Sequence, residues 1–106
     1  MLPQQSRLRT SADFQSVMKF GRKIHRSSIV LHAKEADYPR FGVIVGKAYG
    51  HAVQRNRAKR ILRHTAGELM GQPPSLEVVV RAIRQGGNLR AEMISAWNQI
   101  AREIAS

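Results

Sequence analysis

Residues 50–64 read GHAVQRNRAKRILRH, and this stretch limits the folds open to the chain more than any other. It carries Arg55, Arg57, Lys59, Arg60 and Arg63, with His51 and His64 flanking them, and no acidic residue lies between Asp37 and Glu68. Wound as a helix at about 100° per residue, the stretch divides into two faces. Ala58, Ile61, Leu62, Thr65 and Leu69 gather on one, while Arg55, Asn56, Arg57, Lys59, Arg60 and Arg63 spread over the other. One side can bury against a core; the other cannot. Solvated helix faces usually mix signs, because pairs at i,i+4 stabilise them. A face of cations with no acid in the segment is better explained as a surface for a polyanion.

The charge of the whole chain points the same way. Its 18 Lys and Arg against 7 Asp and Glu leave a formal charge of +11. A compact domain with that imbalance repels itself, so the excess is expected to serve an anionic partner. Nucleic acid ranks ahead of an acidic membrane surface or an acidic protein. Cysteine is absent, which removes disulfides, zinc–cysteine sites and thiol nucleophiles. The 106 residues suit one RNA-binding domain, 1–106, with residues 1–9 as a flexible basic arm. No apolar run approaches the roughly 20 residues that span a bilayer, and MLPQQSRLRTS lacks the apolar stretch of a secretion signal. A soluble, cytoplasmic protein is expected.

Around the basic helix the order of elements can be read from caps and periodicity. Thr10 or Ser11 caps a short helix with Asp13 in its first turn and Gly21 at its end. Phe14, Val17 and Met18 share one face of it, and Phe14 is either a core residue or an exposed aromatic. Residues 29–33 and 41–46 read as strands separated by the turn Ala36-Asp37-Tyr38-Pro39, paired most simply as a hairpin. Gly42 and Gly46 thin the side of the second strand that carries Ile44, as a bulge or the close approach of another backbone would require. The basic helix is expected over about residues 52–69, and residues 71–75 break the chain. Residues 76–82 form a β-branched strand, and Asn88 caps a last helix whose Leu89, Met93, Trp97, Ile100 and Ile104 recur at helical spacing. The result is an α+β sandwich in the order α-β-β-α-β-α with a small central sheet.

Catalytic chemistry is hard to find in these side chains. Asp13, Glu35, Asp37, Glu68, Glu77, Glu92 and Glu103 are scattered, and no two are spaced to hold a metal on one element. His25, His32, His51 and His64 show no metal-ligand spacing. No nucleophile elbow, P-loop or dinucleotide-binding glycine pattern is present. The basic helix therefore reads as a docking surface. Its cations would neutralise phosphates and release counterions. Asn56 within the run either makes a specific hydrogen bond to a base or sugar edge or is simply solvated. Phe14 and Tyr49 are aromatics that can stack on unpaired bases.

The chain resembles the protein subunit of bacterial ribonuclease P over nearly its whole length. The resemblance rests on Arg7-Leu8-Arg9, Asp13-Phe14, Val17 and Gly21, then Phe41-Gly42-Val43 with Lys47. It continues through Gly50, Ala52-Val53, Arg55-Asn56-Arg57, Lys59-Arg60 and Arg63 to Val78-Val79-Val80-Arg81 and the terminal amphipathic helix. It implies a left-handed βαβ crossover carrying the basic helix. It also implies a protein that assists a catalytic RNA in removing the 5′ leader from precursor tRNA. In that family the RNA holds the catalytic Mg²⁺ ions, which generate and orient the attacking water, and no protein partner or membrane is required. By position, Arg55, Asn56, Arg57, Lys59, Arg60, Arg63, Lys47 and His51 would contact RNA. Phe14, Met18, His32 and Arg9 would line the cleft for the single-stranded leader. The chain departs from the family pattern in Met18 and His32, where aromatics are usual, in Ala48 for a second lysine and in His51 for an asparagine. A structural ribosomal protein or general RNA-binding protein is the alternative of a different class, and would be recovered with ribosomal RNA. A self-sufficient nuclease would cleave precursor tRNA without any RNA partner.

Overall fold

Thr10 and Gly21 bracket the first helix as their chemistry predicts. In a computed structural model, which describes residues 7, 8, 10–71 and 73–105, α1 spans Ser11–Phe20. The Thr10 hydroxyl accepts the Asp13 N–H at 3.1 Å, and the Gly21 N–H donates to the Val17 carbonyl at 2.8 Å. A β-carbon at Gly21 would fall 2.8 Å from the Ala33 carbonyl oxygen, so only glycine lets the chain turn this close to the sheet.

Four strands follow: β1 (Arg22–His25), β2 (Ile29–Glu35), β3 (Arg40–Val45) and β4 (Leu76–Ala82). Their spatial order is β1-β2-β4-β3. The expected hairpin of β2 with β3 does not form. β4 lies between them, antiparallel to β2 and parallel to β3. Leu76–Val80 of β4 are buried without a break, and a strand buried on both faces belongs in the middle of a sheet. Strand β1 carries no apolar alternation, since only Ile24 of its four residues is buried, and the sequence pattern missed it. Its exposed Arg22, Lys23 and His25 are typical of an edge strand that avoids pairing with other chains. Of the arm expected over residues 1–9, Arg7 and Leu8 are described, and both are docked. Arg7 bridges Phe41 on the outer edge of β3, the Leu8 N–H donates to the Phe41 carbonyl at 3.0 Å, and the Leu8 side chain is buried.

The parallel pairing of β3 with β4 forces a crossover connection. That connection is α2 (Ala52–Leu69), entered through a 3₁₀ turn at Lys47–Tyr49. Ala58, Leu62, Thr65 and Ala66 form its buried stripe. The Thr65 hydroxyl, inside that stripe, donates to the Ile61 carbonyl one turn back at 2.8 Å and so enters the core satisfied. The last helix, α3 (Leu89–Ala105), begins where the Asn88 side chain accepts the Ala91 N–H at 3.0 Å. Its Met93, Ala96, Trp97 and Ile100 complete the main core with Leu31, Val78 and Val80. Helices α2 and α3 thus cover one face of the sheet, and α1 lies on the other over β2 and β4, with Val17 against Val79. No helix among the described residues is long and apolar enough to cross a membrane.

Leu62 is fully buried where α2 meets the sheet. Leu62→Ala should lower unfolding stability by about 2–5 kcal/mol, the range for leaving a cavity of this kind, as read from urea denaturation.

Candidate nucleic-acid interface

Burial of the Ala58–Leu62–Thr65–Ala66 stripe fixes where every cation of α2 must point. At about 100° per residue, Arg55, Lys59 and Arg63 fall on one flank of the stripe, and Arg57, Arg60 and His64 on the other. Asn56 sits on the outer ridge and is exposed. The surroundings agree. Arg63 shares a small recess with Arg7, Phe14, Gly42 and Val43, on the β3 side. Arg60 and His64 share another with Arg90 of α3. Among the described residues, no ion pair involves Arg55, Arg57, Lys59, Arg60 or Arg63.

Asp13, Glu68, Glu77, Glu92 and Glu103 are committed elsewhere. Glu77, almost fully buried in β4, accepts from Arg40 Nε at 2.8 Å and from the same guanidinium's Nη2, and lies 3.5 Å from Lys34 Nζ. Arg40 also reaches Asp13 at 3.6 Å, while Lys34 donates to Ser16 at 2.9 Å. These contacts tie α1 to the end of the sheet. Glu103 pairs with Arg22, Glu68 with Arg90, and Glu92 accepts the Ser28 N–H at 2.7 Å. The acids stabilise the frame and leave the α2 cations without local neutralisation. No three His, Asp or Glu side chains gather as a metal site among the described residues.

Beside this surface runs a groove on the α1 face. Phe14, Met18, Gln15, Thr10, Ser11 and Ile44 line a recess of about 330 Å³. Phe14 falls between its two readings, neither fully buried nor exposed. Its ring packs with Leu8, Val17 and Val79, is only partly buried, and lines the recess. Gly42 makes room for it, since a β-carbon there would lie 2.4 Å from Phe14 Cε1. What comes close at this glycine is an aromatic ring, not the second backbone that a strand glycine suggests. Met18 stands in the groove wall.

His32 does not join that wall. It points to the α1 face of β2, between Lys23 of β1 and Val79 of β4, and is only 4% exposed. Neither ring nitrogen finds a hydrogen-bond partner among the described residues. Burial, with Arg81, Lys23 and His25 nearby, holds its pKa below the ordinary histidine value and keeps the ring neutral. Lys47 and His51 are both exposed just before α2, and the His51 N–H donates to the Gln54 side chain at 2.6 Å. Arg9 lies outside the described residues. Residues that the sequence pattern did not assign to the site complete the picture. Arg7 and Ile44 border the groove, and Gln54, Gln85 and Arg90 stand along the α3 flank of α2. Only the fold brings these together; Gly42 was their one advance signal.

A small α+β domain with an unpaired cationic helix beside an aromatic groove is a nucleic-acid-binding protein in its class. The comparisons with known proteins specify which. The ribonuclease P family model matches residues 2–104. The ribonuclease P protein component of Rhodococcus erythropolis (strain PR4 / NBRC 100887) is 43% identical over 94 residues, covering 78% of this chain and 75% of its own. That of Corynebacterium diphtheriae (strain ATCC 700971 / NCTC 13129 / Biotype gravis) is 38% identical over 111 residues, covering 95% and 93%. The RNase P protein from Thermotoga maritima superposes with a TM-score of 0.71 at 25% identity, covering 91% of this chain and 96% of that one. The chain belongs to the ribonuclease P protein family.

The buried His32 makes a pH prediction. The unfolded chain protonates this residue near its ordinary value of about 6.5, whereas the folded ring takes its proton only at lower pH. Between the two values the unfolded chain holds the extra proton, so this contribution to stability is full above the window and is lost as the pH falls through it. Urea midpoints should therefore drop more between pH 7.5 and pH 5.5 for the natural chain than for His32→Phe.

Proposed function

We propose that this chain is the protein component that assists a catalytic RNA in removing the 5′ leader of precursor tRNA. In this reading α2 grips RNA and the α1 groove holds the single-stranded leader. The observation that carries it is the pairing of an un-neutralised cationic helix with a half-exposed aromatic groove. Cations on α2 bind phosphates through counterion release. The Phe14 ring and the Met18 thioether offer a stacking floor that any unpaired base can use. The chain's own work is to bind and orient. Bond cleavage is assigned to the RNA partner, in the cytoplasm, with no further protein needed.

The Mg²⁺ ions are assigned to the RNA as well. The described carboxylates of Glu68, Glu77 and Glu103 each hold a basic side chain, and these residues do not fit a metal cage. Dense positive charge on α2 would lower the repulsion between two RNA strands brought together near those ions.

Reconstitution with the cognate catalytic RNA at low Mg²⁺ tests the reading. Cleavage of leader-bearing precursor tRNA should rise when the protein is added, and an unchanged rate would sink the proposal. Replacing Arg57 or Arg60 with Ala should weaken RNA binding and flatten its salt dependence by about one unit of slope each. Phe14→Ala should weaken binding of precursors with a long leader more than of those without one; equal losses would mean that the ring serves packing alone.

A further inference from the structure

On the flank of α2 that faces α3, away from the groove, lies a recess of about 530 Å³. Arg57 and Gln54 of α2, Tyr49 before it, and Gln85, Asn88 and Arg90 at the start of α3 supply its polar wall. Ala58, Ile61 and Leu89 supply an apolar floor, and no acidic side chain lines it. The volume falls in the range of about 300–1,000 Å³ typical of small-ligand sites.

The recess is held open by specific contacts. Gln85 Nε2 donates to the Tyr49 carbonyl at 2.6 Å, and Gln54 Oε1 accepts the His51 N–H at 2.6 Å. A β-carbon at Gly50 would fall 2.6 Å from Gln85 Nε2 and 2.8 Å from Gln54 Oε1, so glycine is what lets the two amides converge. Gly86, at φ 99°, turns the loop in the left-handed region that favours glycine. The other half of each amide is opposite in sense, an acceptor on Gln85 and donors on Gln54. That combination suits the donor–acceptor edge of a nucleobase. Arg57 stands at the rim without an ion pair among the described residues and can take the adjoining phosphate. Arg90 is already held by Glu68 at 2.5 Å, which leaves Arg57 as the main source of charge.

We propose that this recess takes one unpaired nucleotide of the catalytic RNA subunit. Its base would lie against Tyr49 and the Gln54 and Gln85 amides, and its phosphate at Arg57. The RNA subunit is chosen over the leader because the recess and the Phe14 groove lie on opposite flanks of α2. The inference rests on the proposed partnership with that RNA and adds a base-holding site to what was a phosphate-binding surface.

The chain has no cysteine, so Gln85→Cys introduces a unique thiol in the recess, Arg90→Cys one at its rim, and Glu35→Cys a distant control. Each full-length variant is mixed with the RNA subunit, and alkylation by N-ethylmaleimide is timed with and without it. The RNA subunit alone should slow alkylation at the first two positions by about tenfold or more and leave Glu35→Cys unchanged. Prior alkylation at Gln85→Cys should weaken RNA-subunit affinity by about tenfold, the size of one lost base contact. Unprotected thiols on a chain that still binds the RNA subunit would overturn the recess while leaving the partnership intact. Protection that appears only with leader-bearing precursor would overturn it in favour of the leader. Equal protection of the control would reduce it to general shielding, and failure of the natural chain to bind the RNA subunit would overturn both readings.

Discussion

The parallel pairing of β3 with β4 is the constraint on which the rest depends. Two parallel neighbours cannot be joined by a tight turn, so the chain must leave the sheet, cross one face and return. Here the crossing segment is the basic helix. Its Ala58, Leu62, Thr65 and Ala66 must meet the sheet, and once they do Arg57, Arg60 and Arg63 are turned outward, with Arg55 and Lys59 half-buried at the flank. A positively charged helix that stood free of the sheet would have no preferred rotation. This one is locked by packing to within the tolerance of a close-packed core. The cationic surface is therefore placed by hydrophobic burial on the helix's other side.

Charge segregation follows from the same arrangement. Seven acids cannot offset 18 basic side chains, and those whose contacts are known sit where they hold the frame. Glu77 joins β4 to Arg40 and Lys34, Glu103 joins α3 to Arg22 of β1, and Glu92 holds the β1–β2 turn through Ser28. The repulsion left among the α2 cations disfavours the isolated fold. In the proposed complex phosphates would relieve it, so part of the binding energy would be repulsion already present in the free protein. Salt, which screens both terms, should stabilise the free chain while it weakens RNA binding.

Local chemistry made α1, α2, β4 and α3 readable from the sequence, with α2 and β4 at the observed bounds, because caps and periodicity act within a few residues. Thr10, Gly21 and Asn88 announced ends that the structure confirms with hydrogen bonds. Strand order was not readable in this way. The turn at residues 36–39 suggests a hairpin, and only the need to bury β4 on both sides places it between β2 and β3. Strand β1 was invisible because edge strands need little apolar alternation. Within the site, the two faces of α2 could be seen in advance. The burial of His32 and the gathering of Tyr49, Gln54 and Gln85 could not, since each depends on elements far apart in the chain.

The two flanks of α2 are what this geometry contributes beyond charge. A helix seated on a sheet exposes about half its circumference, and its flanks look in directions set by its neighbours. Toward β3, Arg63 meets Arg7 and the edge of the Phe14 groove. Toward α3, Arg57 and Arg60 meet the start of the last helix. Asn56 lies between Arg63 and Arg60, a neutral, exposed side chain that both donates and accepts. A single uniform patch would bind one strand in many registers. Two rows separated by a ridge, each facing a different wall, favour two strands held at once in a fixed relation. For a protein proposed to join a substrate's leader to a catalytic RNA, that relation is the function.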